Sequence, residues 1–252
     1  MALEGDELRH SHVQAISEKT LTALQRFDSC AISNAIEHFR VRTRNEGFVN
    51  GSVHCIFPQL PPRVGYAVTA RIRSSSTPIG GRCYYERLDW WSYVLSIPAP
   101  RFIVAEDVDH TPGLGALFGE IHASISVALD CAAYVTNGAV RDLRGVEAAG
   151  LQVFAGNVSV SHSYAHVVEF GLPVEIGGLQ VQPGDLLHGD LNGIVSVPLA
   201  IAKEIPPVAE DMLRTEKELI DFCRSREFSF QKLSEKIQHV SAKYGLPERD
   251  PH

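Results

Sequence analysis

Apolar positions recur at helical spacing early in the chain, at Leu21, Leu24 and Phe27 and again at Ala31, Ile32, Ala35 and Ile36, with Asp28 or Ser29 placed to cap the second run. This predicts an N-terminal helical segment over 13–40. After an irregular, proline-bearing stretch from Gly51 to Pro62, VGYAVTARIRS (Val64 to Ser74) alternates as a strand does. Next, RFIVAEDVD (Arg101 to Asp109) reads as a strand, ALFGEIHASISVAL (Ala116 to Leu129) as a helix and AAYVTNG (Ala132 to Gly138) as a strand. RDLRGVEAAG (Arg141 to Gly150) then reads as a short helix and LQVFAG (Leu151 to Gly156) as a strand. This β-α-β-α-β order predicts a parallel sheet with helices packed on it. From Pro173 a period of two returns, with turns at Gly177-Gly178, Pro183-Gly184 and Asn192-Gly193, the marks of an antiparallel β-meander. Beyond Pro206-Pro207, Val208, Met212, Leu219, Ile220 and Cys223 outline a long amphipathic helix, and Phe228 to Tyr244 a second, together a helical extension over 200–245.

Composition narrows this to one mixed α/β domain over 1–252: 252 residues that are 44% hydrophobic can bury one sizeable core. A formal net charge of -7 argues against a nucleic-acid groove, which needs a basic face. The one short basic cluster, Arg40, Arg42 and Arg44, is followed by Glu46 and reads as a solvated face. The acidic opening MALEGDELRH lacks an apolar signal region, and no run of apolar residues is long enough to span a bilayer. A soluble, cytoplasmic protein without nucleic-acid or membrane partners is expected. Five widely spaced cysteines with no C-x-x-C pair predict reduced thiols rather than a disulfide or zinc framework.

Candidate chemistry gathers in the middle of the chain. Gly113, Gly115 and Gly119 follow a strand and open a helix. No acid stands at the tip of the next strand to hold a ribose, so an anion-receiving glycine turn is a better reading than a dinucleotide fingerprint. Glu120 follows, on the far side of a stripe formed by Phe118, Ile121, Ile125 and Leu129, and so is expected to face a cleft, a partner or water. Asn137-Gly138 is expected to make a tight turn that delivers Arg141 and Asp142 beside Glu120. Arg141 offers a planar fork for a carboxylate and Asp142 an oxygen ligand for a hard cation. The bland alternative is a helix-start aspartate next to an arginine paired to solvent or to Glu147. His162 and His166, four apart in SVSHSYAH, have zinc spacing for a helix but lack the glutamate of H-E-x-x-H, so ordinary hydrogen-bonded imidazoles are favoured. Asp190 to Gly193 reads as a hairpin turn rather than a calcium loop, and YYERLDWW as core.

Taken together, G-x-G-x-x-x-G-E, N-G-A-V-R-D and P-G-D-x-x-x-G-D-x-x-G-I-V-x-V-P resemble the RraA-like family, over Leu21 to Glu218. That family holds divalent-metal pyruvate aldolases acting on 4-hydroxy-4-methyl-2-oxoglutarate and proteins named as regulators of ribonuclease activity. Its best mark here is the acid, twenty residues, Arg-Asp spacing from Glu120 to Arg141-Asp142. The resemblance implies a swivelling β/β/α fold, a homotrimer or a hexamer built of two trimers, and sites lined by two subunits. It also implies a lyase of the aldolase or oxaloacetate decarboxylase type that forms an enolate from a 2-keto acid with Mg²⁺ or Mn²⁺. In that scheme Asp142 ligates the metal and Glu120 holds its waters, together with Glu216 from a neighbouring C-terminal helix. Arg141 and the amides of Gly115, Ala116 and Leu117 grip the substrate carboxylate, with His162 among the groups that meet the substrate's distal end. The alternative is a non-catalytic, protein-binding regulator. Two departures stand out: the aldolases usually carry aspartate where this chain has Glu120, and the family often has aspartate where this chain has Asn137.

Overall fold

The structure is a computed structural model in which residues 15–78 and 87–244 are described. Two short helices open it, α1 (Glu18–Leu24) and α2 (Ser29–His38). Of the two candidate caps, the structure selects Asp28, whose carboxylate accepts from the Ala31 amide at 2.7 Å. Ser29 is thereby released for tertiary work. Its amide donates to Asp190 Oδ2 at 2.9 Å, and its hydroxyl meets His188 Nδ1 at 3.1 Å, tying α2 to a distant hairpin.

The main sheet contains β1 (His54–Cys55), β2 (Arg63–Arg73), β3 (Arg101–Asp107), β4 (Cys131–Val140), β5 (Gln152–Val158), β9 (Leu186–Asp190) and β10 (Gly193–Val197), in the order β1-β5-β4-β3-β2-β9-β10. The β2-β3-β4-β5 portion is parallel, as the β-α-β-α-β pattern predicts. The free edge of β2 is divided between two antiparallel partners: Arg63 to Tyr66 pair with β9, and Ala70 to Arg73 with β6 (His166–Phe170). Gly189 of β9 has no side chain, and a Cβ there would lie 2.7 Å from Phe154 of β5, so the two flanks of the sheet curl toward each other.

Both faces of this sheet are buried, which explains why β3 reads as a continuous apolar run. Ile103, Ala105, Tyr134 and Val153 face the helices, including α3 (Leu88–Ser96), α4 (Glu120–Ala128), α5 (Leu143–Ala148) and α6 (Ile205–Cys223). Phe102, Val104, Ala133, Val135 and Phe154 face a separate two-stranded sheet of β7 (Val174–Ile176) and β8 (Leu179–Val181). The layers are thus small sheet, large sheet and helices, a β/β/α fold. After α6 comes α7 (Phe230–Tyr244), which buries none of its residues. Among the described residues no helix is long and apolar enough to cross a membrane.

Several local expectations need correction. The meander divides: β7 and β8 leave the large sheet and cap its far face, while β9 and β10 join its edge. Asn137-Gly138 makes no turn. It lies inside β4, where the pairing with β5 slips between Thr136 and Ala139, so the dipeptide forms a bulge. The helix expected from Ala116 begins only at Glu120, because Phe118 makes a parallel bridge to Val140 and stacks on Tyr134 with ring centroids 3.8 Å apart. Its buried face is therefore His122, Ala123 and Ser126, and Ile121 is 56% exposed. In YYERLDWW, Trp90 and Trp91 are core residues of α3, and Tyr84 to Glu86 lie outside the described residues.

Candidate functional site

The parallel strands β3 and β4 end side by side, and each delivers an aspartate. Asp107, the last residue of β3, is 3% exposed. Its carboxylate accepts from the Gly113 amide at 2.7 Å and the Asp109 amide at 3.1 Å, fixing the loop that leads to α4. Burial raises its pKa above the usual carboxylate range, an effect that these two amides only partly offset. Asn137 clamps the same residue from β4: its side-chain oxygen accepts from the Asp107 amide at 2.7 Å and its side-chain nitrogen donates to the Asp107 carbonyl at 3.1 Å. A carboxylate at 137 could not make the second of these bonds. The amide in place of the family's aspartate thus has a local use.

Asp109 is a second sealed carboxylate. Burial pushes its pKa up, but the Ser75 hydroxyl and the Ser74 and Ser75 amides outweigh that and hold it below the usual value. Arg73 Nε stands 3.3 Å from Oδ1, the oxygen that accepts the Ser75 hydroxyl. Neither aspartate was singled out in the sequence, although an acid ending an apolar strand just before a glycine-rich loop was the available signal.

Asp142 is built differently. It occupies the N-cap position of α5 but has φ +52° and ψ +40°, left-handed backbone that a non-glycine residue adopts at some cost, and its side chain makes no capping bond to α5. The carboxylate turns instead toward the start of another helix: Oδ2 lies 3.4 Å from the Glu120 amide, the first residue of α4. The Arg141 amide donates to the Phe118 carbonyl at 3.0 Å, and its Nε lies 3.4 Å from Asp142 Oδ1. Arg141 and Asp142 keep 30% and 42% of their side-chain surface exposed.

Two glycines make room for these acids. A Cβ on Gly119 would lie 2.5 Å from Asp142 Oδ2, and one on Gly145 would lie 2.4 Å from Glu120 Cδ. Each carboxylate thus rests against the bare backbone of the other's segment. The structure therefore brings Glu120, Arg141 and Asp142 into one corner at the carboxyl end of the parallel sheet, where open α/β sheets collect ligands. The arginine does not pair with Glu147, which instead accepts from the Gln59 side chain.

Other candidates fall elsewhere. The Gly115 amide donates to the Ser74 hydroxyl at 3.1 Å and the Ala116 amide to the Ser161 carbonyl at 2.9 Å, so neither is open to a ligand as the glycine-turn reading required. Leu117 is 7% exposed and belongs to the helix-side core. His162 is exposed on the loop that covers Gly115; its carbonyl lies where a Gly115 Cβ would point, and its Nδ1 lies 2.8 Å from the Ser163 carbonyl. His166 is buried in β6, so the two histidines share no helix. Glu216 lies on α6 in a different part of the protomer, lining a cavity with none of the three corner residues.

Among the described residues no three histidine, cysteine or acidic side chains converge as a ready metal cage. What the corner does offer is two carboxylates seated against glycines. That donor set fits a hard divalent ion that keeps most of its waters, and suits Mg²⁺ or Mn²⁺ better than zinc.

Comparison with known proteins agrees with this architecture. Over 84 residues the chain is 29% identical to a provisionally named 4-hydroxy-4-methyl-2-oxoglutarate aldolase of Halalkalibacterium halodurans, a match spanning 33% of this chain and 40% of that relative. A crystal structure of an uncharacterized Pseudomonas syringae protein superposes with a TM-score of 0.68 at 20% identity, over 90% of this chain and 96% of the other. Streptomyces coelicolor RraAS2, described as an unusual member of the RNase ES inhibitor RraA protein family, superposes with a TM-score of 0.61 at 20% identity, over 84% and 99%. At such identities the likeness shows the fold. Residues 29–196 match the Aldolase/RraA family model, two thirds of the chain, and the chain therefore belongs to the RraA-like family.

Proposed function

We propose that the protein is a metal-dependent carbon-carbon lyase acting on a small 2-keto acid. The observation that carries this reading is the placement of Asp142: a left-handed, uncapping carboxylate turned away from its own helix toward the start of α4, next to Arg141 and Glu120. An aspartate serving its own helix would cap it; this one leaves α5 uncapped, accepts one long bond from the Glu120 amide at 3.4 Å, and stays 42% exposed. The aldolase name of the Halalkalibacterium relative points the same way.

In this reading Asp142 would hold the divalent ion and Glu120 its water. The ion, Mg²⁺ or Mn²⁺, supplies Lewis-acid polarisation of the keto group. Arg141 binds the substrate carboxylate through its planar fork and keeps it oriented as negative charge grows on the adjacent carbons during C-C cleavage or loss of CO₂. His162, on the exposed loop over Gly115, meets the distal end of the substrate. With the Gly115 and Ala116 amides already bonded, Arg141 carries the carboxylate contact that sequence reasoning shared among several groups. Glu216 completes the site across a subunit interface of a homotrimer or hexamer, from the neighbouring α6.

The test is exchange of pyruvate methyl protons in deuterated buffer with Mg²⁺, alongside oxaloacetate decarboxylation. Both activities are expected, and Arg141→Gln or Asp142→Asn should each lower them about 10²- to 10³-fold. Unchanged turnover in either variant overturns the scheme. A protein-binding regulator is the second reading. Leu114, Val158 and Val160, exposed by 56%, 49% and 96%, favour it because they place apolar surface on the loop and strand end near this corner. Absence of both activities with a folded protein selects it.

A further inference from the structure

Arg40 and Arg44 are exposed, as a solvated face requires, and Arg42 between them is half-buried. All three line an open cavity of about 560 Å³ bounded by α2, the segment following it, α6 and α7. That volume lies within the range of small-molecule sites. Three arginines face two carboxylates there, Glu37 and Glu216, and Glu37 is already paired with Arg44 at 3.2 Å.

Arg42 is the fixed element. Its Nη1 donates to the Ser196 carbonyl at 3.0 Å and to the Ser196 hydroxyl at 2.7 Å, which anchors the guanidinium to β10. Its planar head lies against Gly47, where a Cβ would overlap it at 2.0 Å. Among the described residues no carboxylate comes within ion-pair distance of Arg42. Burial lowers its pKa, with Glu46 and Glu37 only partly opposing, so the cation is desolvated without a direct counter-ion.

The opposite wall is apolar apart from Glu216 of α6. Met212 comes from α6, and Val240 and Tyr244 from α7. The polar anchors of α7 are its last two residues. The Tyr244 hydroxyl meets Thr215 Oγ1 at 2.8 Å and Asp211 Oδ2 at 3.0 Å, and Lys243 Nζ stands 2.8 Å from Asp211 Oδ2. The α6-α7 pair thus forms an apolar cover, latched at Asp211, over an immobilised guanidinium.

We propose that this cavity binds a small organic anion, a carboxylate or phosphate ester on an apolar body, with Arg42 gripping the head and Met212, Val240 and Tyr244 packing the body. Glu216 in the same lining disfavours a second negative group on the ligand. The cavity holds none of Glu120, Arg141 and Asp142; Glu216 is the one residue it has in common with the lyase reading, which assigns that side chain to a neighbouring subunit's site, and the grip of Arg42 on an anion does not depend on it.

Titration calorimetry on the full chain with phenylacetate, phenyl phosphate and neutral 2-phenylethanol tests this. At least one of the two anions should bind saturably below about 10 mM, the neutral alcohol should not, and the tighter head group identifies the ligand class. Arg42→Gln, which keeps a donor for Ser196, should weaken binding by about tenfold or more. Val240→Trp fills the cavity from α7 without touching the arginines and should abolish binding while the melting transition stays cooperative. Arg141→Gln should leave it unchanged. Equal binding of the alcohol, no saturable binding of either anion, insensitivity to both Arg42→Gln and Val240→Trp, or loss in Arg141→Gln overturns the proposal.

Discussion

Strands β3 and β4 run side by side, and the aspartates at their carboxyl ends meet opposite fates. Asp107 is sealed: it accepts two amides, is gripped along its backbone by Asn137 and is 3% exposed. Asp142 is left open: it caps nothing in its own helix, holds a left-handed backbone and keeps 42% of its side chain exposed. The first carboxylate holds two backbone amides and is closed off from solvent. The second retains lone pairs for something that is not protein. The same residue type at neighbouring strand ends of a parallel sheet can thus be scaffold or chemistry, and the difference lies in how tightly the surrounding backbone closes over it.

If the comparison holds, substitution at the β3 end should damage stability and substitution at the β4 end should damage only function. Asp107→Ala leaves the buried Gly113 and Asp109 amides without their acceptor and should cost about 4 kcal/mol in urea unfolding, at roughly 1–3 kcal/mol for each orphaned group. A loss below about 1 kcal/mol there would break the contrast.

Acid sharpens it next. His122, on the core side of α4, is 8% exposed and burial lowers its pKa to about 4. The unfolded chain takes up that proton first, so stability is complete above about 6.5 and falls as pH drops to about 4, by roughly 3 kcal/mol. Below that both states are charged and the loss stops. His122→Met should flatten this slope when unfolding free energy is measured across that window. His188, whose pKa burial also lowers, adds to the same acid slope, and Asp107 contributes with the opposite sign. Its raised folded pKa means that its share of stability is present below the unfolded value near 3.8 and is lost as pH rises through the folded value.

The smallest effect is the most diagnostic. Asp142→Gly relieves the left-handed strain and should leave stability unchanged or raise it by up to about 1 kcal/mol, while abolishing the proposed activity. A clear destabilisation would make Asp142 a structural residue after all.

Much of this was legible in the chain. The parallel portion follows from the β-α-β-α-β rhythm, and the continuous apolar run of β3 from burial on both faces. The turns at Gly177-Gly178 and Asn192-Gly193 were readable, and the separation of β7-β8 from β9-β10 was not, because hairpins of one period can join any sheet with an apolar face. The stripe of α4 was misjudged because Phe118, counted into the helix, stacks on Tyr134 instead, which rotates the buried face to His122, Ala123 and Ser126. For the corner, the spacing from Glu120 to Arg141-Asp142 marked the residues, but nothing local announced that Gly119 and Gly145 would each seat the other's carboxylate.

By itself the sequence determined the element types, the strand-helix alternation and the residues able to do chemistry, because those depend on side-chain type and on periodicities that neighbouring residues share. Tertiary structure alone decided which aspartate is sealed and which is open, that Asn137-Gly138 is a bulge, and that three arginines after α2 line a cavity. Those outcomes depend on which donors and apolar surfaces are brought close by segments far apart along the chain, and no local pattern records such an approach.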